Sequence, residues 1–489
     1  MSAAERLETP IAAAAVSPPL KPRAIHKFFY SIGQTAQSGG FDTAIGFSFF
    51  YYTVVLRLDG ALVGLALGIS LAFDAVVDPV VGAWSDNIRS RFGRRLPPMM
   101  LATPLMLLAV GALFTPPSLS QWGLFAWLTA CSIAARSFIS LFNVPYFALG
   151  GEMAEGYAER SAIVAWRANA GLVMGLLVTA AAYSIFFRGE LGLRNARAYA
   201  PFGWAAGVLI FAASALCIAG IRKYAARLPA AHAPSEPLWR RLPREFAIVL
   251  ANRSFRILFF SAVAFYVAVG VNATLANHAA VFVWKLRTPT IQLLVYAYLA
   301  GMLPGIVTAP MFTRRFEKKT LVLVGVGGVV LSWMLLPGLR ALRIIEPTGD
   351  QALMLLILNG LIVGYGVGLV AVAYPSMMAD AADEHELISG RRQEGLYFAG
   401  LGFAGKAAAG FGAMIGGFAL SLIGFPKDVA QLAHAVLAEP VAERLMLAHG
   451  PLAALLAGLG MLIFAPYAVT RRRHDEITAA LHERRQGGG

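Results

Sequence analysis

Residues 73–98 read FDAVVDPVVGAWSDNIRSRFGRRLPP. The stretch begins as an apolar helix, holds Asp74 and Asp78 four residues apart, and ends in a burst of arginines. Four-residue spacing puts both carboxylates on one face of a helix. What the pair means depends on whether that helix lies in water or in lipid. Of the 489 residues, 58% are hydrophobic and 14% charged, and mean hydropathy is +0.64. Soluble domains carry roughly 25% charged residues, so the composition predicts a polytopic membrane protein. Apolar runs long enough to span a bilayer recur about twelve times between residues 28 and 470. The expected fold class is therefore all-α, with about twelve transmembrane helices.

The net charge of +14 does not point to nucleic acid, because the basic residues flank the spans. Arginines crowd alternate loops, at 89–95, 222–244, 314–319, 391–392 and 471–473. Positive charge marks the cytoplasmic side, so both termini are expected in the cytoplasm. Residues 223–253 are basic and Pro-rich, the profile of a linker between a six-helix bundle at 28–222 and a second at 254–470. A cytoplasmic N-terminal tail (1–27) and C-terminal tail (471–489) complete the division, the latter expected as a solvated helix. RRFEKK at 314–319 takes the place in the second bundle that RSRFGRR at 89–95 holds in the first. Residues 425–449 are expected to form a short interfacial helix before the last span. The two cysteines, Cys131 and Cys217, fall inside spans, which argues against a disulfide framework.

An ionised side chain at mid-membrane costs roughly 2.5–3.5 kcal/mol on insertion scales, and neighbouring carboxylates repel. Asp74 and Asp78 therefore need a proton, a shared cation or a basic partner. Pro79 cannot donate to the carbonyl of Ala75, which leaves a third oxygen near the pair for a hard cation. The alternative is structural, with one acid neutral and the other paired. Lys406, in GLYFAGLGFAGKAAAGFGAMIGG, is the other charge deep within a span, and Asp74 or Asp78 is its expected partner. It either tunes the acids and replaces the cation during a cycle, or forms a structural ion pair. Asp42, after QTAQSGG, and Asn143 are further polar positions inside spans, as are Arg136 and Arg167. Asn272, Thr274, Asn277 and His278 gather near one end of the seventh span, and His278 is as readily structural as functional. Tyr266, Tyr365 and Tyr374 offer rings for stacking, although tyrosines in bundles also serve packing. No Walker loop, HExxH, CxxC pair or GxSxG elbow occurs in a fitting context. Neither an ATP-driven pump nor an enzyme is expected.

The opening stretch resembles the second helix and following loop of the glycoside–pentoside–hexuronide:cation symporters, the melibiose-carrier branch of the major facilitator superfamily. FFYYTVVL at 49–56, LFNVPYFALGGEMAEGYAERSAIVAWR at 141–167 and MMADAADEHELISGRRQEGLYFAGLGFAGKAAA at 377–409 resemble the same family in order. The resemblance implies the major facilitator fold, with two six-helix halves around a central cavity. It implies a coupling-cation site at Asp74 and Asp78, which hold Na+ if coupling is to sodium, assisted by Ser140 and Lys406. Arg167 corresponds to an arginine that contacts sugar. Asp86, Arg89, Arg91, Gly93, Arg94 and Arg95 resemble the superfamily's cytoplasmic gate, with Asp380, Asp383, Glu386, Arg391 and Arg392 as second-half partners. The departures fall where substrate is held. Ser38 and Asn143 stand in place of acids, Phe147 in place of a tryptophan, and Val77 in place of the asparagine beside the second acid. Ser38, Asp42, Asn143, Phe147, Arg167 and Tyr374 are accordingly the substrate candidates.

These readings converge on a Na+- or H+-coupled symporter of a small organic solute, a glycoside or related sugar, working by alternating access. A proton-coupled carrier or exporter of a non-sugar or lysolipid-like substrate is the alternative. A transport-inactive sensor is the alternative from another class. The expected setting is a bacterial inner membrane, with the lipid bilayer and a small-molecule substrate as partners, no nucleic acid, no cofactor beyond the coupling ion, and a monomeric state.

Overall fold

The computed structural model describes residues 22–154, 157–226, 247–390, 393–429 and 437–487. Eleven helices are long and apolar enough to cross a bilayer. They are α2 (Gly60–Asp86), α3 (Leu96–Leu113), α4 (Gln121–Glu152), α5 (Glu159–Phe186), α6 (Ala196–Ala225) and α7 (Arg253–Val283) in the first part of the chain. α8 (Thr288–Arg315), α9 (Lys318–Ala341), α10 (Gly349–Ser389), α11 (Glu394–Leu422) and α12 (Glu439–Phe464) follow. The twelfth crossing precedes them all. This α1 runs through Ala24–Thr35, Ala36–Phe41, Asp42–Phe50 and Tyr51–Val55, the second and fourth pieces being π-helical. The chain is an integral membrane protein.

Apolar periodicity predicts one continuous helix at 28–56, and the π turns are what it misses. The AQSGGF turn lets α6 come close: a Cβ on Gly40 would fall 2.2 Å from Ile210 Cγ1. Widening the turn also releases the Ser38 carbonyl, which accepts the Thr43 hydroxyl at 3.2 Å. Such single π turns recur at functional sites. Elsewhere the local chemistry is ordinary. Asp59, Ser120, Asn195 and Asn252 accept from first-turn amides of α2, α4, α6 and α7.

Three boundaries differ from the sequence reading. The short helix expected within 425–449 is Glu439–His449, which ends at Gly450 and, with Leu445 and Met446 buried, leads directly into Pro451–Phe464 as the start of α12; residues 430–436 lie outside the described chain. α6 reaches Ala225 and residues 247–251 are already helical, so the linker is shorter than 223–253, and its middle, 227–246, is outside the described residues. The C-terminal α13 (Arg471–Gly487) is docked as well as solvated: Ile477 and Leu481 are buried, and Arg484 donates to the Leu387 carbonyl at 2.6 Å. Cys131 and Cys217 are both free thiols.

The two halves repeat one packing scheme. α2 packs on α4 as α8 packs on α10, α3 on α6 as α9 on α12, and α1 on α5 as α7 on α11. Between halves, the largest contact joins α2 to α11, supported by α1 against α7 and α5 against α8. Here small residues allow backbone-to-backbone approach. A Cβ on Gly417 would sit 2.2 Å from the Gly60 carbonyl oxygen, and one on Gly64 2.8 Å from that of Ala413. Ser421 Oγ accepts from the Ala61 amide at 2.8 Å and donates to Asp59 at 2.7 Å. Thr53 meets His278 at 2.8 Å, Tyr183 donates to Asn277 at 2.9 Å, and Phe50 stacks on Phe282.

All these bonds lie on the face opposite the arginine-rich loops. Among the described residues, ion pairs on the arginine-rich face join groups within one half. The structure is thus sealed on one side and parted on the basic side. We predict that Gly417→Ala loosens the seal, because overpacking costs about 1–3 kcal/mol. A cysteine placed at buried Thr53 should then react with a maleimide about ten-fold faster or more. An unchanged labelling rate would show that the α2–α11 approach is not what closes this face.

Candidate functional site

Asp74 and Asp78 lie on the α2 face turned to the other half. Asp74 is only 5% exposed, and its Oδ1 accepts the Ser140 hydroxyl of α4 at 2.7 Å. Lys406 of α11 donates to Asp74 Oδ2 at 3.2 Å and also to Asp78 Oδ2. One ammonium therefore bridges both acids across the halves. Asp78 Oδ1 is buried and makes no hydrogen bond. The helix continues through Pro79 to Asp86. Two carboxylates, one of them with a buried oxygen left unsatisfied, and one hydroxyl form a hard-oxygen donor set that fits a proton or an alkali cation. Among the described residues no three His, Cys, Asp or Glu side chains gather as a metal centre. A cation here would draw on Ser140, backbone or water oxygens beside Asp74 and Asp78.

A second polar group lines the first half at the α1 π turn. Gln34 donates to Ser38 Oγ at 3.0 Å, and Asn143 donates to the Gln37 amide oxygen while its own oxygen stays buried and unbonded. Asp42 follows the π turn with its side chain exposed. Arg136, on α4, donates to Ser70 of α2 at 3.1 Å, lies over the Phe41 ring at 5.9 Å, and is within Coulombic reach of Asp42 and Asp74. Arg167 sits 4.6 Å over the Phe147 ring, which is 42% exposed. Ser38, Asp42, Asn143, Phe147 and Arg167 are thus all carried by α1, α4 and α5.

Tyr374 does not belong with them. It is fully buried inside the second half, bonded to Ser261 at 2.7 Å and packed among Phe265, Tyr266 and Phe464. A tyrosine in an apolar span signals a helix but not which way the ring points. The polar group at the end of α7 is likewise occupied. Asn272 donates to the His449 carbonyl at 3.0 Å, Thr274 to that of Gly270, and Asn277 and His278 complete the seal.

On the basic face, Arg95 joins Asp86 at 2.6 Å and Glu152 at 2.8 Å, and Arg94 joins Glu152 at 2.6 Å. These gate residues tie the end of α2 and the start of α3 to the end of α4. Gly93 has a φ of +82°, and Arg91 stacks on neighbouring Phe92. The second-half partners are not what the sequence led us to expect. Asp380 pairs with Lys318 at 2.7 Å and with His474, and Asp383 with His474 at 3.3 Å, all within the second half. Arg391 and Arg392 lie outside the described residues. Lys318–Asp380 repeats in α9 and α10 the link that Arg94–Glu152 makes in α3 and α4. The roles of Glu152, Lys318 and His474 escaped the sequence reading. The repeated RRFEKK motif held the signal for Lys318, and the acidic end of the GGEMAEG stretch held that for Glu152.

Twelve crossings in two repeated halves, parted on one side and joined at mid-depth by an ionic cluster, define a secondary membrane transporter of the major facilitator type. The family model described as MFS/sugar transport protein matches residues 29–471, and the chain belongs to this family, the glycoside–pentoside–hexuronide:cation symporters. It is 25% identical to the inner membrane symporter YicJ of Escherichia coli, with 82% of this chain and 83% of that one covered. It is 24% identical to sodium-dependent lysophosphatidylcholine symporter 1 of Gallus gallus, with 99% and 96% covered. A bacterial homolog of the human lysosomal transporter Spinster, in an inward-facing and unoccupied crystal structure, shares the fold at a TM-score of 0.61 and 14% identity, with 91% and 98% covered. The protein is a transporter, not an enzyme.

The contrast between Phe147 and Tyr374 is testable. Tyr374→Phe should leave the transport KM unchanged and lower stability by about 1 kcal/mol, the net worth of one buried hydrogen bond. Phe147→Ala should raise KM several-fold with the thermal midpoint held. A raised KM in Tyr374→Phe would return that ring to the binding site.

Proposed function

We propose that the protein is a symporter that couples Na+ or H+ at Asp74 and Asp78 to the movement of a small glycoside or related sugar across a bacterial inner membrane. The observation that carries this reading is the Lys406 ammonium, held by both acids from the opposite half. The positive-inside bias makes the basic face cytoplasmic, so the structure corresponds to an inward-open state. In it Lys406 neutralises the acids in place of a coupling ion. When the halves rock to open the sealed face, α11 carries Lys406 away from α2. Two carboxylates left without it regain the affinity to take up a cation or proton. Closing toward the cytoplasm is favoured once that charge is balanced.

The cavity beside the acids suits a hydroxyl-rich solute. Gln34, Gln37, Ser38 and Asn143 supply neutral donors and acceptors, Asp42 a carboxylate, and Phe147 with Arg167 a flat charged platform. The family model's description as a sugar transport protein supports the same class. On the basic face, closure brings Arg89 and Arg91 toward Asp380, Asp383 and Glu386. Asp380 and Asp383 must then exchange their contacts with Lys318 and His474.

Coupling is reciprocal, so substrate and cation should each tighten the other. Asp78→Asn should abolish cation-driven accumulation in proteoliposomes while the variant still elutes and unfolds as a native membrane protein. Undiminished accumulation would remove Asp78 from the mechanism. A thermal-shift panel of sugars, organic acids and lysolipids, each with and without sodium at two pH values, should give a cation-dependent stabilisation by a sugar. A cation-dependent response to lysolipids alone would reassign the substrate.

A further inference from the structure

A cavity of about 510 Å³ opens in the second half, away from the central site. It lies where the first turn of α7, the last turns of α10 and the connection from α12 to α13 converge. Its size falls within the roughly 300–1,000 Å³ typical of ligand sites. The groups around it are unusually free. The Asn252 side chain caps the Phe255 amide and the Asn252 carbonyl accepts from Arg256, leaving the Arg253 and Ser254 N–H groups without partners among the described residues. α7 is a long helix, so this terminus carries partial positive charge. The Ser254 side chain lines the cavity at 8% exposure without a hydrogen bond there. His385 lines it at 6% exposure, and its Nε2 is buried with no partner. Arg253 is exposed at the same wall and forms no ion pair among the described residues.

Glu384 stands opposite in character. Asp380 and Asp383, just before it on α10, are taken by Lys318 and His474, yet Glu384 has no cationic partner among the described residues. Ile248 and Ile388 add an apolar, exposed rim.

We propose that this cavity binds a phosphate carried next to an amine, the chemistry of a phosphoethanolamine head. The phosphate oxygens accept from the Arg253 and Ser254 amides, the Ser254 hydroxyl and the Arg253 guanidinium. The ammonium pairs with Glu384. The isoleucine rim accommodates acyl chains if the head belongs to a membrane phospholipid, and a soluble phospho-amine would leave it bare. Either occupant bridges α7 to the end of α10, the segment that carries the second-half gate acids.

Native mass spectrometry of the purified full chain distinguishes the sources. With dioleoyl phosphatidylethanolamine or phosphatidylglycerol added, the wild type should retain the ethanolamine lipid preferentially. Arg253→Gln and Ser254→Ala should each reduce that retention about ten-fold, and Glu384→Gln should erase the preference over phosphatidylglycerol. Arg253 makes no bonds to the described fold, so its substitution tests binding with little risk to folding. Equal thermal midpoints without ligand check this. A midpoint raised by phosphoethanolamine in the wild type but not in Arg253→Gln, without lipid retention, would assign a soluble ligand. Inorganic phosphate should give a weaker shift than phosphoethanolamine. If neither the lipid nor phosphoethanolamine separates wild type from Arg253→Gln, the proposal is wrong.

Discussion

The ammonium of Lys406 crosses from α11 to Asp74 and Asp78 on α2, and among the described residues it makes the only ion pairs between the two halves. Its position explains why the α2–α11 contact dominates the interface. Removing one partner of a buried pair leaves an uncompensated charge at about 3–5 kcal/mol, less here because the Lys406 side chain is half exposed. Separating Lys406 from the acids would therefore leave two carboxylates in need of another positive charge.

The two faces of the protein are built from different chemistry. On the sealed face the contact is short-range, from glycine backbones, one histidine and stacked rings. Such packing is lost over an ångström or two, so it parts cleanly. On the basic face the groups are charged and paired within each half. Arg95 and Arg94 hold the ends of α2, α3 and α4 together as one body. Lys318 does the same for α9 and α10, with His474 added from α13. Each half is thus tied together by its own charged links on this face, none of which crosses to the other half among the described residues.

The sequence made the charged interior legible because an ionised group in an apolar run is costly enough to need a reason. Asp74, Asp78 and Lys406 stand out on that ground, and the structure brings all three together. Direction around a helix was less legible. Tyr374 and Phe147 occupy similar apolar contexts, yet one is in the core and the other faces the cavity, since spans surrounded by both lipid and protein have weak amphipathic patterns. The π turns of α1 were invisible for another reason: they respond to how closely α6 approaches Gly40, a tertiary fact. The docking of α13 was hidden because its composition is that of a solvated helix, and only buried Ile477 and Leu481 distinguish it.

One guanidinium stands among the acids of the first half. Ser38 and Asn143 are neutral, and the carboxylate near them on α1 is Asp42. Arg136 is bonded to Ser70 and lies within electrostatic range of both Asp42 and Asp74. Arg136, Asp42 and Asp74 are all carried by the first half, so this set of charges is built without α11, unlike the Lys406 bridge.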